Sequence, residues 1–224
     1  MRPSDTDDSL PALARAVLDS LQAPLLARFL AAWPHPAPPC AVSPHPAPPR
    51  AMPRGAPGRA LPVLRYLPSI AAAGASVGGE LVHALCRAAP SLAWRQSYSE
   101  REVGAAFLQN YGWSELFGPT ERRAGAQISC GVLVLGPHTL YPHHRHEAEE
   151  VYLPLSGTAQ WQQGDEIWRQ QAPGTLIHHL SEEPHAMRTG EQALLAMYLW
   201  YGTDLTQKAR LDAAARDGDG ARAC

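Results

Sequence analysis

The chain has 224 residues, of which 45% are hydrophobic and 18% charged, and its formal net charge at pH 7 is −2. This length allows one large or two small domains with a proper core, and the near-neutral charge argues against a surface for nucleic acid or anionic membranes. We find neither a signal-peptide pattern nor an apolar run long enough to span a membrane, so we expect a cytoplasmic protein.

The N-terminal part is predicted to contain a helix followed by a proline-rich stretch. Residues 9–32 carry leucines at helical spacing, with Ser9 as the N-cap and Pro24 as the point where the helix bends. We assign residues 1–33 to this helical unit. Residues 34–62 hold half of the chain's 22 prolines and contain the repeat Pro-His-Pro-Ala-Pro-Pro. Such a stretch is stiff and extended, which favours a linker or surface belt over a partner-docking motif.

Residues 63–124 are predicted to form a helical region that packs on the domain that follows. One helix is expected over residues 77–89, where Pro90 ends it, and a shorter one near residues 100–110. Aromatic residues accumulate between Trp94 and Phe117. We expect most of them to form a core that joins the helices to a sheet.

From residue 125 onwards the sequence consists of short β-rich runs separated by Gly and Pro turns. This pattern is typical of a sandwich or a small barrel. The fold class is therefore mainly β, with a barrel over residues 125–203 preceded by an α-helical region, and residues 204–224 are predicted to be a tail with a short helix. The predicted strands cover residues 127–135, 141–146, 150–155, 158–163, 166–170, 175–179, 185–189 and 194–201.

The most informative segment of this β region contains a cluster of metal-ligand residue types. His144, His146 and Glu150 have the spacing H-x-H-x-x-x-E, and Tyr152 follows two residues later. Side chains alternate between the two faces of a strand, so these even-numbered positions share a face if the chain stays extended. Two imidazoles and a carboxylate on one face favour a site for zinc, iron, manganese or nickel.

This segment resembles the first cupin motif, with Gly136 and Gly157 as its flanking glycines and a slightly longer first gap than usual. Similarly, Pro173-Gly174 followed by Pro184-His185 resembles the second cupin motif. The resemblance implies a jelly-roll cupin barrel that binds one divalent transition metal ion, and the alternative is a metal-free cupin with hydrogen-bonded histidines. The implied ligands are His144, His146, Glu150 and His185.

A closer resemblance, over about residues 65–203, is to the cupin-type dimethylsulfoniopropionate (DMSP) lyases. It implies a carbon–sulfur lyase that cleaves a small zwitterionic sulfonium into dimethyl sulfide and acrylate, with Tyr152 as the base. The alternative for Tyr152 is a barrel tyrosine that is hydrogen-bonded to Glu150. A sulfonium also needs a π-rich or anionic wall, for which Tyr141, Tyr198 and Trp200 are candidates, with core packing as the alternative. The resemblance rests on Trp94–Tyr98, Asn110–Trp113, Gly131–Pro137, Tyr141–Glu150 and His185–Thr189.

Two other functions stay open at the level of the sequence. A cupin oxygenase or isomerase could use the same ligand set with Fe(II), because the geometry and metal choice of such sites overlap. The second open function is that of a non-catalytic ligand-binding cupin. The sequence contains no helix-turn-helix or basic patch that would indicate a nucleic-acid regulator. A homodimer is a further expectation, since pairing through sheet edges protects them.

Overall fold

The computed structural model describes residues 9–34, 60–74, 77–119 and 127–212. Most of the predicted proline-rich belt, residues 35–59, and residues 213–224 of the predicted tail lie outside the described residues. Within the described part of the chain, no helix is long and apolar enough to cross a membrane. The α-helices are α1 (Ser9–Leu21), α2 (Ala27–Ala31), α3 (Leu67–Ala72), α4 (Gly79–Ala88) and α5 (Glu100–Leu108), with 3-10 turns at Pro24–Leu26, Pro62–Tyr66 and Ala89–Ser91.

The strands form two antiparallel sheets of five strands each, which confirms the predicted barrel preceded by a helical region. The first sheet has the order β1-β2-β9-β4-β7, built from β1 (Tyr111–Phe117), β2 (Ile128–Leu135), β9 (Leu194–Tyr201), β4 (Glu149–Ser156) and β7 (Ile177–His179). The second has the order β10-β3-β8-β5-β6, built from β10 (Arg210–Leu211), β3 (Leu140–Arg145), β8 (His185–Thr189), β5 (Ala159–Gln163) and β6 (Arg169–Gln171).

The first sheet is buried on both faces. On β4, Val151 and Leu153 join a core with the helices, whereas Tyr152 between them joins a second core inside the barrel. Strand β2 alternates in the same way, with Val132 facing the helical core and Leu133 the barrel core, so all of its residues are buried. Because neighbouring side chains point to opposite faces, each of these strands contributes to two cores at once.

The helical layer follows from the apolar spacing of α1. Leu10, Ala14 and Leu18 are four residues apart, lie on one face of the helix and are buried. The chain bends at the 3-10 turn that begins at Pro24, as predicted, because proline cannot continue a helix interior. Phe29 of α2 then packs edge-on against Tyr201 of β9, with ring centroids 5.8 Å apart. The helices thus cover the outer face of the first sheet and leave its inner face to the barrel.

Two strands lie outside the predicted limits of the barrel. Strand β1 falls in the region predicted to be helical, but it pairs with β2 from Tyr111 opposite Leu135 onwards. Strand β10 falls in the predicted tail, where Arg210 pairs with Arg145 of β3. The even positions of β1 combine Gly112 and Ser114 with Leu116, so apolar and polar residues do not alternate regularly along this strand, and two residues are too few for β10 to show any period. The barrel sheet therefore begins at residue 111 instead of 125.

Candidate active site

Two histidines and a carboxylate meet inside the barrel. His146 follows the end of β3, Glu150 lies on β4, and His185 begins β8. All three residues are buried, and their ligand-type atoms lie within 4.8 Å of one another. Glu150 Oε2 is 3.0 Å from His146 Nε2 and 3.2 Å from His185 Nε2. This buried group could hold a metal ion.

His144, the fourth predicted ligand, lies beside this group. Its ring centroid is 4.2 Å from that of His185 and 6.3 Å from that of His146. On its other face the ring of Tyr141 is stacked at 4.0 Å, with 9° between the planes. The structure thus brings the four predicted ligands into one neighbourhood, with His144 outside the cluster of three.

The reason for this convergence differs from the one expected from the sequence. A face shared along a single strand would require an extended chain from His144 to Tyr152, but β3 ends at Arg145 and β4 begins at Glu149 in the other sheet. His144 and Glu150 therefore lie on facing sheets, and the face that they share is the barrel interior. The strand periodicity holds only within β4, where Glu150 and Tyr152 point the same way.

Backbone carbonyl groups hold the three imidazoles in one tautomer. A carbonyl oxygen only accepts hydrogen bonds, so each contacting Nδ1 carries the proton and each Nε2 of a neutral ring keeps a lone pair. His185 Nε2 is buried and makes no hydrogen bond within the described residues. Lone pairs directed at a carboxylate need a cation between them, which fits a metal site. The Nδ1 contacts are His144 to Pro142 at 2.8 Å, His146 to Ala148 at 2.8 Å and His185 to Glu183 at 2.9 Å.

Burial and mutual charges set the ionisation of this group. Burial raises the pKa of Glu150, but the interactions with His146 and then His185 outweigh it, so this pKa lies well below its ordinary value. Burial, followed by the charge of His185, lowers the pKa of His144 well below 6.5. Burial also lowers the pKa of His146, but Glu150 outweighs it and raises that pKa overall. Glu150 as a carboxylate and His144 as a neutral imidazole are in the forms that metal binding requires, whereas the raised pKa of His146 favours a protonated ring, whose proton a metal ion would displace.

Trp200 connects this group to the neighbouring strand. Its Nε1–H donates to Glu150 Oε1 at 2.6 Å, and its ring lies 4.3 Å from that of His146. The contact occupies one carboxylate oxygen and leaves the other directed at the histidines. Trp200, predicted only as a substrate-binding residue, therefore also orients Glu150.

A cavity of about 310 Å³ opens beside the group. Tyr152, the predicted base, lines it together with all three predicted substrate-binding residues, Tyr141, Tyr198 and Trp200. Other lining residues were not predicted from the sequence. Three of them, Tyr111, Trp113 and Glu115, lie on β1, which was itself not predicted although its odd positions carry large side chains. These missed residues include Arg95, Ser97, Tyr111, Trp113, Glu115, Ser129 and Lys208.

Tyr152 is buried between aromatic rings at the inner end of this cavity. Its ring centroid lies 6.2 Å from that of Trp161 and 6.1 Å from that of His179. Burial, followed by the charge of Glu150, raises the pKa of Tyr152 well above 10. The phenol is therefore neutral beside the bare carboxylate, and its ionisation needs a compensating positive charge nearby.

His179 is a buried histidine that the sequence pattern did not single out. Neither of its ring nitrogens has a hydrogen-bond partner among the described residues. Its ring stacks on His185 at 4.0 Å with 9° between the planes. Burial, followed by the charge of His185, lowers the pKa of His179 to about 2. A neutral ring at this position supports the plane of His185 through its face.

Comparisons with known proteins give one consistent set of relatives. A family model of dimethylsulfoniopropionate lyases matches residues 47–196. The dimethylsulfoniopropionate lyase DddQ of Ruegeria pomeroyi is 32% identical to this chain over 109 residues, which are 49% of this chain and 54% of that protein. The chain therefore matches about half the length of this curated relative.

Two solved structures align over a larger share of the chain. A chain from the crystal structures of the DMSP lyases RdDddP and RnDddQII is 30% identical, with a TM-score of 0.73, and the alignment covers 95% of this chain and 100% of that one. The crystal structure of DMSP lyase DddQ from Ruegeria pomeroyi is 27% identical, with a TM-score of 0.59, and the alignment covers 90% and 96%. Both similarities include the helical layer as well as the barrel.

Proposed function

Because the chain belongs to the dimethylsulfoniopropionate lyase family, we propose that it is a carbon–sulfur lyase that cleaves DMSP to dimethyl sulfide and acrylate. The observation that carries this proposal is that Tyr152, Glu150 and His144 line one cavity. A phenol beside a candidate cation site suits the removal of a weakly acidic proton next to a carboxylate.

The metal site is the second part of the proposal. The donor set fits a divalent transition metal such as zinc, iron, manganese or nickel, because neutral imidazole and carboxylate ligands suit all four. When bound, the ion supplies Lewis acidity toward the carboxylate of the substrate. The buried Nε2 of His185, which makes no hydrogen bond within the described residues although Glu150 Oε2 lies 3.2 Å away, supports this fit. The residues that would hold the ion are His144, His146, Glu150 and His185.

Tyr152 is the base in this reaction. The charge of Glu150 is one cause of the raised pKa of Tyr152, and a cation held by His144, His146, Glu150 and His185 would offset that charge. As a phenolate, Tyr152 takes the proton from the carbon next to the substrate carboxylate. The electrons of that C–H bond form the double bond of acrylate, and the C–S bond breaks to release dimethyl sulfide. The proton stays on Tyr152 until it is lost to solvent, so no oxidant is required.

Aromatic side chains position the sulfonium in this proposal. Tyr198 and Trp200 line the cavity with ring centroids 6.1 Å apart, and the faces of aromatic rings attract cations. Tyr141 is held in place by the stack on His144 and by a hydrogen bond between its hydroxyl and that of Tyr98, at 3.1 Å. Fixed rings of this kind restrict the substrate to few orientations.

The function is tested by assaying both products and oxygen on the same sample. Purified protein is mixed with DMSP in a sealed vial, and dimethyl sulfide, acrylate and dissolved oxygen are followed. We expect equal amounts of the two products, no oxygen consumption, loss of activity after chelation and recovery with an added divalent metal. Oxygen consumption would instead indicate the oxygenase. Absence of dimethyl sulfide across a panel of metals would contradict the lyase proposal.

A further inference from the structure

The cavity beside the candidate metal group is larger than DMSP requires. Its volume is about 310 Å³. DMSP has eight non-hydrogen atoms, which occupy about 160 Å³ at the packing density of a protein interior. DMSP would therefore leave roughly half of the cavity unfilled. Because the walls are rich in aromatic and apolar side chains, they favour a ligand that covers more of them.

Four neighbouring strands of the first sheet form one wall of the cavity. Tyr152 of β4, Tyr198 of β9, Leu133 of β2 and Trp113 of β1 all line it. Neighbouring strands lie about 4.8 Å apart, so this wall spans three strand spacings, or about 14 Å. The cavity thus extends well beyond β4 and β9, the strands that carry the candidate base and the candidate sulfonium-binding rings.

Tyr198 forms part of the floor of this cavity and does not divide it. A Cβ atom added to Gly131 would lie 2.3 Å from the hydroxyl oxygen of Tyr198 and 2.4 Å from its Cζ. The phenol therefore lies across the backbone of β2, along the sheet, where glycine allows this close approach. Trp113 and Tyr152, on either side of it, line one and the same cavity.

DMSP is too short to use the full length of the cavity. In the proposed reaction its carboxylate lies at the metal group and the adjacent carbon lies at Tyr152. The sulfur follows the carboxylate carbon by three bonds, or about 4 Å, which is less than one strand spacing. The sulfonium is then near Tyr198 and Trp200, and the cavity continues beyond its methyl groups toward β2 and β1.

We propose that the cavity accepts β-sulfonium carboxylates whose sulfur carries groups larger than methyl, and that Leu133 and Trp113 contact these groups. The two residues lie directly opposite each other on β2 and β1 and form a continuous apolar surface. Trp113 is held in place because its Nε1–H donates to Ser97 Oγ at 2.9 Å. Burial of alkyl groups on such a surface is favourable. This inference rests on the proposed function and adds a substrate class to it.

The chemistry of these substrates is the same as that of DMSP. Tyr152 takes the proton from the carbon next to the carboxylate, and the electrons of that C–H bond form the double bond of acrylate. The C–S bond breaks, and its electron pair leaves with the dialkyl sulfide. No further reactant is needed, so the substrates differ only in the size of the sulfide that is released.

The test compares DMSP with 3-(diethylsulfonio)propionate as substrates of the metal-loaded protein, by measuring dimethyl sulfide and diethyl sulfide in the headspace. We expect a lower KM for the diethyl compound than for DMSP, by about tenfold if both added methylene groups are fully buried. An equal or higher KM, or no diethyl sulfide from protein that cleaves DMSP, would overturn the inference. Release of diethyl sulfide without dimethyl sulfide would support it and exclude DMSP as the substrate.

The variant Leu133→Phe locates the additional room. A larger side chain opposite Trp113 occupies the space for the ethyl groups, so the ratio of KM for the diethyl compound to KM for DMSP is expected to rise about fivefold or more. Leu180→Phe is the matched control, because Leu180 is 58% exposed, and it should leave the ratio unchanged. An unchanged ratio in Leu133→Phe would overturn the assignment of this wall. If the variant does not fold, the comparison of the two substrates in the wild type still decides the inference.

Failure of this inference is distinguishable from failure of the proposed function. In the first case the wild type releases dimethyl sulfide from DMSP but does not prefer the diethyl compound. In the second case it releases neither sulfide with any metal. Calorimetry with the metal-loaded protein then compares 4-methylpentanoate and 4-ethylhexanoate, in which a neutral CH replaces the sulfur. Stronger binding of the larger acid by the wild type but not by Leu133→Phe supports the inference, and any other pattern overturns it.

Discussion

At the scale of single residues, two kinds of contact orient each histidine of the candidate metal group. A backbone carbonyl accepts from Nδ1, which decides the nitrogen that faces the interior, and an aromatic ring packs on the face, which decides the plane of the imidazole. The rings that pack on these faces are Tyr141 on His144, Trp200 on His146 and His179 on His185, at 4.0 Å, 4.3 Å and 4.0 Å. The group is therefore oriented by its surroundings before any ligand binds.

The variant Trp200→Phe tests the hydrogen bond from Trp200 to Glu150 separately from the packing of the Trp200 ring on His146. The variant keeps a ring beside His146 but loses the donor to Glu150 Oε1. We expect about 10- to 100-fold weaker metal affinity, since a ligand's outer hydrogen-bond partner contributes on that scale. Competition with a chromophoric chelator measures this affinity. Trp168→Phe is the control, because Trp168 packs under Arg188 away from the group. Equal affinities in wild type and Trp200→Phe would show that the hydrogen bond does not support the metal.

At the scale of secondary-structure elements, the segment that ends in β10 forms one side of the cavity. Leu205 and Ala209 are buried and line it, as does Lys208. The segment is held where Arg145 of β3 donates two hydrogen bonds to Asp212, both at 2.7 Å. Residues that were predicted to be a tail are therefore a wall of the candidate site.

The Arg145–Asp212 pair makes this wall dependent on pH. Hydrogen bonds from Arg145 hold the pKa of Asp212 below 3.8. A lowered carboxyl pKa stabilises the fold above the unfolded pKa, near 4, and this contribution is lost as the pH falls through the folded value. We expect Asp212→Asn to lower the free energy of unfolding by up to about 1 kcal/mol at neutral pH.

Urea denaturation at a series of pH values measures this difference between wild type and Asp212→Asn. The difference is expected to stay constant from neutral pH down to about 4 and to shrink below it. Asp165→Asn, in the exposed turn before β6, provides a control for the loss of a carboxylate without this pair. A difference that persists unchanged far below pH 4 would mean that the charge of Asp212 is not what holds the segment.

At the scale of the whole molecule, the first sheet packs against the helices with its outer face and lines the candidate site with its inner face. On β4, Val151 and Leu153 pack into the helical core, while Glu150 and Tyr152 between them face the cavity. The N-terminal helices thus stabilise the outer face of the sheet that carries the candidate base. The similarity to solved DMSP lyases covers the helices as well as the barrel.

Local patterns were sufficient to predict much of this arrangement. Strands β8 and β9 begin and end where the sequence predicted, because Gly and Pro turns bound them. The proximity of His144 and His185, by contrast, depends on two antiparallel strands whose register places them opposite each other. Glu115 and His179 were not predicted as site residues because their importance comes from pairing with distant strands, which no local spacing reveals.

In the proposed mechanism, Tyr152 acts as the base beside a metal-binding group. The most direct measurement compares the rate of dimethyl sulfide release by metal-loaded wild type and Tyr152→Phe at equal metal content. Tyr201→Phe is the control, because Tyr201 packs on the helical side. We predict that Tyr152→Phe lowers the rate by about 10²- to 10⁴-fold while metal affinity is unchanged. A rate close to that of the wild type in Tyr152→Phe would contradict the account.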